Sequence, residues 1–146
     1  MGVYGMSQND LRQKIIAFFK TYEYSNLITI DALGMPRGRM MENLPFGDDL
    51  VCWFGTGAQS NKVREIQNNS KVSVFLYRPE DHSSICMQGE AMVVSDEALR
   101  EEKWKGKWAV YWPDGPTNED FTLIKIVPRK IIYLDWPSRK QEVLDL

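Results

Sequence analysis

The chain has 146 residues, with 18 Lys and Arg against 20 Asp and Glu, one His and two Cys. That length suits one domain, which can bury roughly two-thirds of its unfolded surface; the domain spans residues 1–146, with residues 1–6 expected to be flexible. A net charge of -2 lacks the basic excess of a nucleic-acid binder, no apolar run reaches the length of a membrane span, and the opening MGVYGMSQND has no signal-peptide pattern.

The expectation is therefore a cytoplasmic protein without nucleic-acid or membrane partners. Cys52 and Cys86 form no CxxC pair, and one His cannot complete a usual zinc site, so no metal is expected. The one surplus is aromatic: five Trp, of which Trp104, Trp108 and Trp112 fall close together.

In chain order, Ser7 to Lys20 predicts a helix, with Ser7 as N-cap and Leu11, Ile15, Phe18 and Phe19 at helical spacing. Asn26 to Leu33 is β-rich and ends at Gly34. Met35 to Gly38 is turn-like, and Arg39-Met40-Met41 forms a short strand. Leu50 to Phe54 is a bulky apolar strand. Ser60 to Asn68 predicts a short helix, and Lys71 to Tyr77 an alternating strand. Ile85 to Val94 is another strand, with Gly89 as a bulge or close-approach site. Asp96 to Trp112 reads as helical in part. Phe121 to Val127 and Ile131 to Leu134 are two final strands joined by a turn at Pro128-Arg129. Six or seven strands with short connections, beside two or three helices, predict a mainly β fold. Its simplest form is an antiparallel sheet closed into a barrel with flanking helices.

The segment that carries chemistry is Trp53 to Arg64, WFGTGAQSNKVR. A strand passes through a Gly-rich turn into a helix start. Ser60 caps that helix, and Lys62 and Arg64 fall in its first turn. Cations there oppose the helix dipole unless an anion is bound. Free amides, a hydroxyl and Lys62 together make a phosphate site. The alternative is a solvated helix start, with Glu65 offsetting part of the charge. Arg39 can direct a second cation into a site beside the soft side chains of Met40 and Met41; taken alone, it reads rather as an exposed edge-strand Arg with two core Met. His82-Ser83-Ser84 lacks the spacing of a catalytic triad. The Trp104/Trp108/Trp112 spacing reads as a packing or interface stripe.

Taken together and in order, these segments resemble the pyridoxamine 5′-phosphate oxidase-like flavoproteins, which share an FMN-binding split β-barrel. The likeness is strongest to their short general-stress-protein subgroup. It rests on Gly34-Met35-Pro36-Arg37-Gly38-Arg39-Met40-Met41, on Trp53 to Lys62 with its Thr-x3-Ser-x-Lys turn, on Asn68 to Leu76, on Gln88-Gly89-Glu90-Ala91, and on Tyr111 to Pro116 with the strand beyond. The resemblance implies that Ser60, Asn61 and Lys62 hold the FMN phosphate with Thr56 nearby. It implies that Arg39, Met40 and Met41 line the flavin, that Trp53, Phe54, Gly55 and Thr56 form a wall beside it, and that Gln88 reaches the flavin of the other subunit in a homodimer. Two departures are visible. Met40 stands where many relatives have Pro. The tail PSRKQEVLDL lacks the basic, His-bearing segment with which true pyridoxamine phosphate oxidases grip substrate.

The implied function is an FMN-dependent oxidoreductase of unknown small-molecule substrate, with a stress-related role. The alternatives are a non-catalytic flavin-binding or redox-sensing module, a pyridoxamine 5′-phosphate oxidase-like enzyme, or a barrel that takes FAD, deazaflavin or haem instead.

Overall fold

The computed structural model describes residues 5–146. The first four positions of the expected flexible N-terminus lie outside the described residues; Met6 packs against the core.

Helix α1 runs Gln8–Thr21, and the Ser7 hydroxyl accepts from the Asp10 amide as its cap. Its stripe of Leu11, Ile15, Phe18 and Phe19 is buried. Strands β1 (Tyr24–Ile30) and β2 (Pro36–Glu42) form a hairpin. The Asp31 carboxylate accepts from the Leu33 and Met35 amides at its tip, and Gly34 takes a φ of 81° that favours glycine. Strand β3 (Cys52–Gly57) leads into helix α2 (Asn61–Asn68), then strands β4 (Lys71–Arg78) and β5 (Ser83–Val94) follow as a second hairpin. Helix α3 (Glu97–Lys103) and two 3-10 turns at Gly106–Val110 and Gly115–Thr117 precede strands β6 (Phe121–Asp135) and β7 (Lys140–Asp145).

All seven strands join one antiparallel sheet in the order β2-β1-β4-β5-β6-β3, with β7 also paired to β6. The sheet curls around a core containing Leu27, Val74, Ile85, Met87, Ile126 and Ile131, against which α1 packs. The fold class is as expected, but the barrel is not closed. The seam between β2 and β3 has no ladder. It is bridged by the Leu44 amide donating to the Trp53 carbonyl at 3.4 Å. Beside it, Glu42 at the end of β2 accepts from Lys105 (2.5 Å), Lys107 (3.0 Å) and the Trp108 indole (3.4 Å). The turn segment after α3 is thus strapped to the hairpin.

Three elements differ from expectation. The predicted turn at Pro128-Arg129 is instead the middle of a 15-residue strand. Proline lacks an amide donor and is tolerated in a sheet at a bulge. Here the register shifts between Gln88 and Gly89, and Pro128 faces Gly89. Strand β7 was hidden by the polarity of Lys140-Gln141-Glu142; of its six residues only Leu144 is buried. Strand β2 begins at Pro36, inside the stretch Met35 to Gly38 expected as a turn. Asp96 to Trp112 is helical in part, as expected, through α3 and the 3-10 turn at Gly106–Val110.

Gly89 has no room for a side chain, because an added Cβ would lie 2.4 Å from the Val127 carbonyl oxygen. Gly89→Ala is expected to lower stability by about 1–3 kcal/mol through overpacking. A urea midpoint equal to that of the parent protein would show that the bulge can relax.

Candidate functional site

Strand β3 alternates strictly, so its side chains serve two compartments. Cys52, Phe54 and Thr56 face the main core, while Trp53, Gly55 and Gly57 face a second cluster of Trp104, Trp108, Trp112, Phe121 and Leu123. After Gly57 the chain turns sharply. The Ser60 amide donates to the Gly57 carbonyl at 3.1 Å, and the Ala58 amide donates to the Asp120 carbonyl at 2.5 Å. The turn ends at Ser60, the N-cap residue of α2.

This cap differs from the other two helix caps. Ser7 and Asp96 accept from amides of their own helices. The Ser60 hydroxyl makes no cap bond; it is buried and has no hydrogen-bond partner. A buried hydroxyl without a partner costs roughly 1–3 kcal/mol, and the first-turn amides of any α-helix lack partners within the helix. Lys62 folds back so that Nζ donates to Thr56 Oγ1 at 2.8 Å. Among the described residues Lys62 forms no ion pair. Burial pushes its ammonium below the ordinary lysine value; the Arg39 charge adds to that, and Glu65 opposes it. An unpartnered hydroxyl at the N-cap and a desolvated cation in the first turn thus belong to one helix N-terminus, a donor set able to hold a phosphate.

Behind Lys62 lies a buried charge cluster. Glu65, one helical turn on, has a side chain only 9% exposed. Its carboxylate accepts from the Thr29 hydroxyl (2.7 Å), from Arg39 (3.2 Å) and from Arg37 (2.9 Å). Arg39 also donates to Thr29 Oγ1 (2.8 Å) and to the Leu27 carbonyl (3.1 Å). The Thr29 hydroxyl is the main influence holding the Glu65 carboxyl below the ordinary range; burial opposes this, and both arginines reinforce it. Burial lowers Arg39. Arg39 is therefore not the exposed edge residue of the alternative reading.

The other sequence-predicted site residues are dispersed. The Phe54 ring (1% exposed) and Met41 (8%) belong to the core. Trp53 lies between Lys103 and Lys125, whose ammonium groups sit 4.4 Å and 5.6 Å from its ring, on the opposite side of β3 from Thr56. A Cβ on Gly55 would lie 2.7 Å from Trp108 Cη2, so that glycine makes room for an indole. Asn61 is exposed at the rim and accepts from Arg64. Met40, 63% exposed, and Gln88 both point to the outer face of the sheet. On that face a cavity of about 480 Å³ is lined by Ile28, Ile30, Ser73, Gln88 and Lys130. Within one chain, then, Arg39, Thr56, Ser60 and Lys62 converge, with Asn61 at their edge. Sequence reasoning missed Thr29 and Arg37, and gave Glu65 only a local role.

Trp104, Trp108 and Trp112 do not share a helix but still pack together, with ring centroids 5.8–6.3 Å apart around Phe121. Ser83 is fully buried and accepts from the Trp136 amide, while His82 pairs with Tyr77, so neither forms a triad. Both cysteines are free, and burial raises both thiols. Among the described residues there is no cluster of metal ligands, and no helix is long and apolar enough to cross a membrane.

An open antiparallel barrel with a phosphate-type helix start defines a split-barrel class of protein. The family described as "Pyridoxamine 5'-phosphate oxidase like" matches residues 10–144, and the chain belongs to it. It is 27% identical over 144 residues to General stress protein 26 of Bacillus subtilis (strain 168), covering 97% of this chain and 100% of that one. It superposes on General Stress Protein 26 from Bacillus anthracis str. Sterne with a TM-score of 0.78 at 30% identity, over 93% of this chain and 98% of that one. A pyridoxamine 5'-phosphate oxidase-related, FMN binding protein from Nostoc punctiforme PCC 73102 shares the fold, with a TM-score of 0.67 at 16% identity and 99% coverage of both chains.

The Glu65 cluster makes stability depend on pH. A carboxyl depressed below the ordinary value of about 4.3 adds stability that is fully present above that pH and lost as pH falls through the depressed value. Urea midpoints of the parent and Glu65→Gln are therefore expected to differ most near neutrality and converge in acid. A gap that stays constant with pH would show that the ionised carboxylate contributes nothing.

Proposed function

We propose that this chain is an FMN-binding flavoprotein and an FMN-dependent oxidoreductase acting on a small molecule still to be identified. The observation that carries the reading is the buried Ser60 hydroxyl without a partner at the cap of the helix whose Lys62 ammonium has only the Thr56 hydroxyl to bond. In this reading Ser60, the first-turn amides of α2 and Lys62 hold the phosphate, with Asn61 at the rim and Thr56 orienting the lysine. Arg39 stands behind them and supplies positive potential. When bound, the flavin supplies electron transfer, and the protein supplies binding and electrostatics. Family membership and the likeness to an FMN binding protein support the cofactor assignment. The likeness to General stress protein 26 supports a stress-related role, and a cytoplasmic location is part of the same proposal. FAD remains the competing cofactor.

The same reading makes the protein a homodimer. The outer face of the sheet carries Met40 (63% exposed), Tyr24 (50%), Tyr77 (47%) and Phe75 (37%), side chains that a monomer gains nothing by exposing. Gln88 lies on this face, so two copies meeting there would bring each Gln88 toward the other's cleft.

A second reading, a flavin-binding module without turnover, draws support from Glu65. This carboxylate lies one turn from Lys62 and is already engaged by three donors, leaving no free base beside the cations.

Three measurements test these readings. Purified protein, or protein mixed with FMN, is expected to show the visible absorbance of a bound oxidised flavin; colourless protein that takes up no FMN rejects the assignment. Lys62→Ala is expected to weaken FMN binding by about 1.5–3 kcal/mol, the range for a charged hydrogen bond, and unchanged affinity would move the phosphate elsewhere. Phe75→Asp is expected to yield monomers in sedimentation experiments, and an intact dimer would exclude this face.

A further inference from the structure

We infer that Glu65 is a specificity-determining residue, which sets the net charge of the phosphate cradle so that it accepts a dianionic phosphate monoester without an excess of positive charge. The inference rests on the phosphate site proposed above.

Three cations surround Glu65 and the start of α2: Arg37 and Arg39 from β2, both paired to that carboxylate, and Lys62 from the helix itself, on which Arg39 and Glu65 both act. Without a counter-charge they would repel one another in a partly buried space. Glu65 neutralises one of them, with one oxygen facing Arg37 and the other facing Arg39. Two positive units remain in this cluster, and at the rim the exposed Arg64, bonded to Asn61 and the Gln59 carbonyl, is offset by the Asp120 carboxylate that accepts from the Gln59 amide. A phosphate monoester near neutral pH carries about -1.5 to -2 charges, so the charges match.

The arrangement also divides the labour. Arg39 is fixed by Glu65, Thr29 and the Leu27 carbonyl, so it acts as a stationary source of positive potential. Lys62 has only the neutral Thr56 hydroxyl as a partner and stays available to a ligand. Both Arg39 and Glu65 act electrostatically on Lys62, in opposite directions. The carboxylate is engaged by Thr29, Arg37 and Arg39, so it acts on the lysine through the field and not by a hydrogen bond. Glu65 is a positioning residue for Arg39 and a charge regulator for the site.

A structural role and a charge-setting role predict opposite signs. If Glu65 only braced the fold, its loss would weaken every ligand. If it sets the charge, Glu65→Gln leaves three positive units and tightens an anionic ligand while leaving a neutral one alone. The experiment titrates the full-length protein with FMN and with riboflavin, which has the same ring but no phosphate, and reads flavin fluorescence. Glu65→Gln is expected to tighten FMN about fivefold to tenfold and to steepen its salt dependence. Arg37→Gln is expected to weaken FMN by a similar factor. The double variant should return to within about twofold of the parent, as charge compensation in a double-mutant cycle requires. Riboflavin affinity should stay constant throughout.

Weaker FMN binding in Glu65→Gln, or a parallel change in riboflavin, overturns the inference. So does a double variant that fails to compensate. If Glu65→Gln does not fold, Arg37→Gln decides: weakening confined to FMN supports the inference, and no change or an equal loss for riboflavin overturns it. A parent protein that does not prefer FMN over riboflavin removes the phosphate site and the inference together. A parent that prefers FMN while Glu65→Gln fails to tighten it removes the inference alone.

Discussion

The antiparallel pairing of β5 with β6 is the constraint on which the rest of the molecule depends. It runs from Ser84 opposite Leu134 to Val94 opposite Leu123. Because β6 is so long, its other edge has room for two partners: β3 along the first half and β7 along the second. One strand therefore positions both the β3–α2 turn and the closing C-terminal strand. The bulge at Gly89 and Pro128 lets this long pair bend without breaking, which allows a single sheet to curl around the core.

Much of this was legible in the sequence, because the signals were local. Ser7, Ser60 and Asp96 are cap residues at three helix starts, and each begins a helix. Alternation in Lys71 to Tyr77 identified a strand with one buried face. Where the sequence misled, a distant residue overruled a local one. Pro128 reads as a breaker, yet it sits within a strand because a glycine 39 positions earlier, Gly89, faces it across the bulge. The three tryptophans read as one helical stripe. They reach the same cluster by a different route, because α3 stops at Lys103 and the chain continues in 3-10 turns.

The candidate site divides in the same way. Lys62 in the first turn of a helix carries the wrong sign for the dipole, and that is visible without a structure. Glu65 was visible only as a neighbour of Lys62. Its real partners, Arg39, Arg37 and Thr29, lie 26, 28 and 36 positions away, and no spacing rule connects them. The face assignments on β3 were equally out of reach. An apolar run such as Leu50 to Phe54 shows that both faces are covered but not by what, and only the register against β6 sends Phe54 to the core and Trp53 to the lysines.

The link between Asp120 and the aromatic cluster has a spectroscopic consequence. Asp120 holds the turn before α2 through its carbonyl and carboxylate, and the same carboxylate accepts from the Trp112 indole at 3.3 Å. An indole hydrogen bond is thus wired to the backbone turn that leads into α2. Emission from such a ring responds to the polarity at its N–H. The protein therefore carries a built-in optical label, set by its own fold, at the turn whose shape matters most.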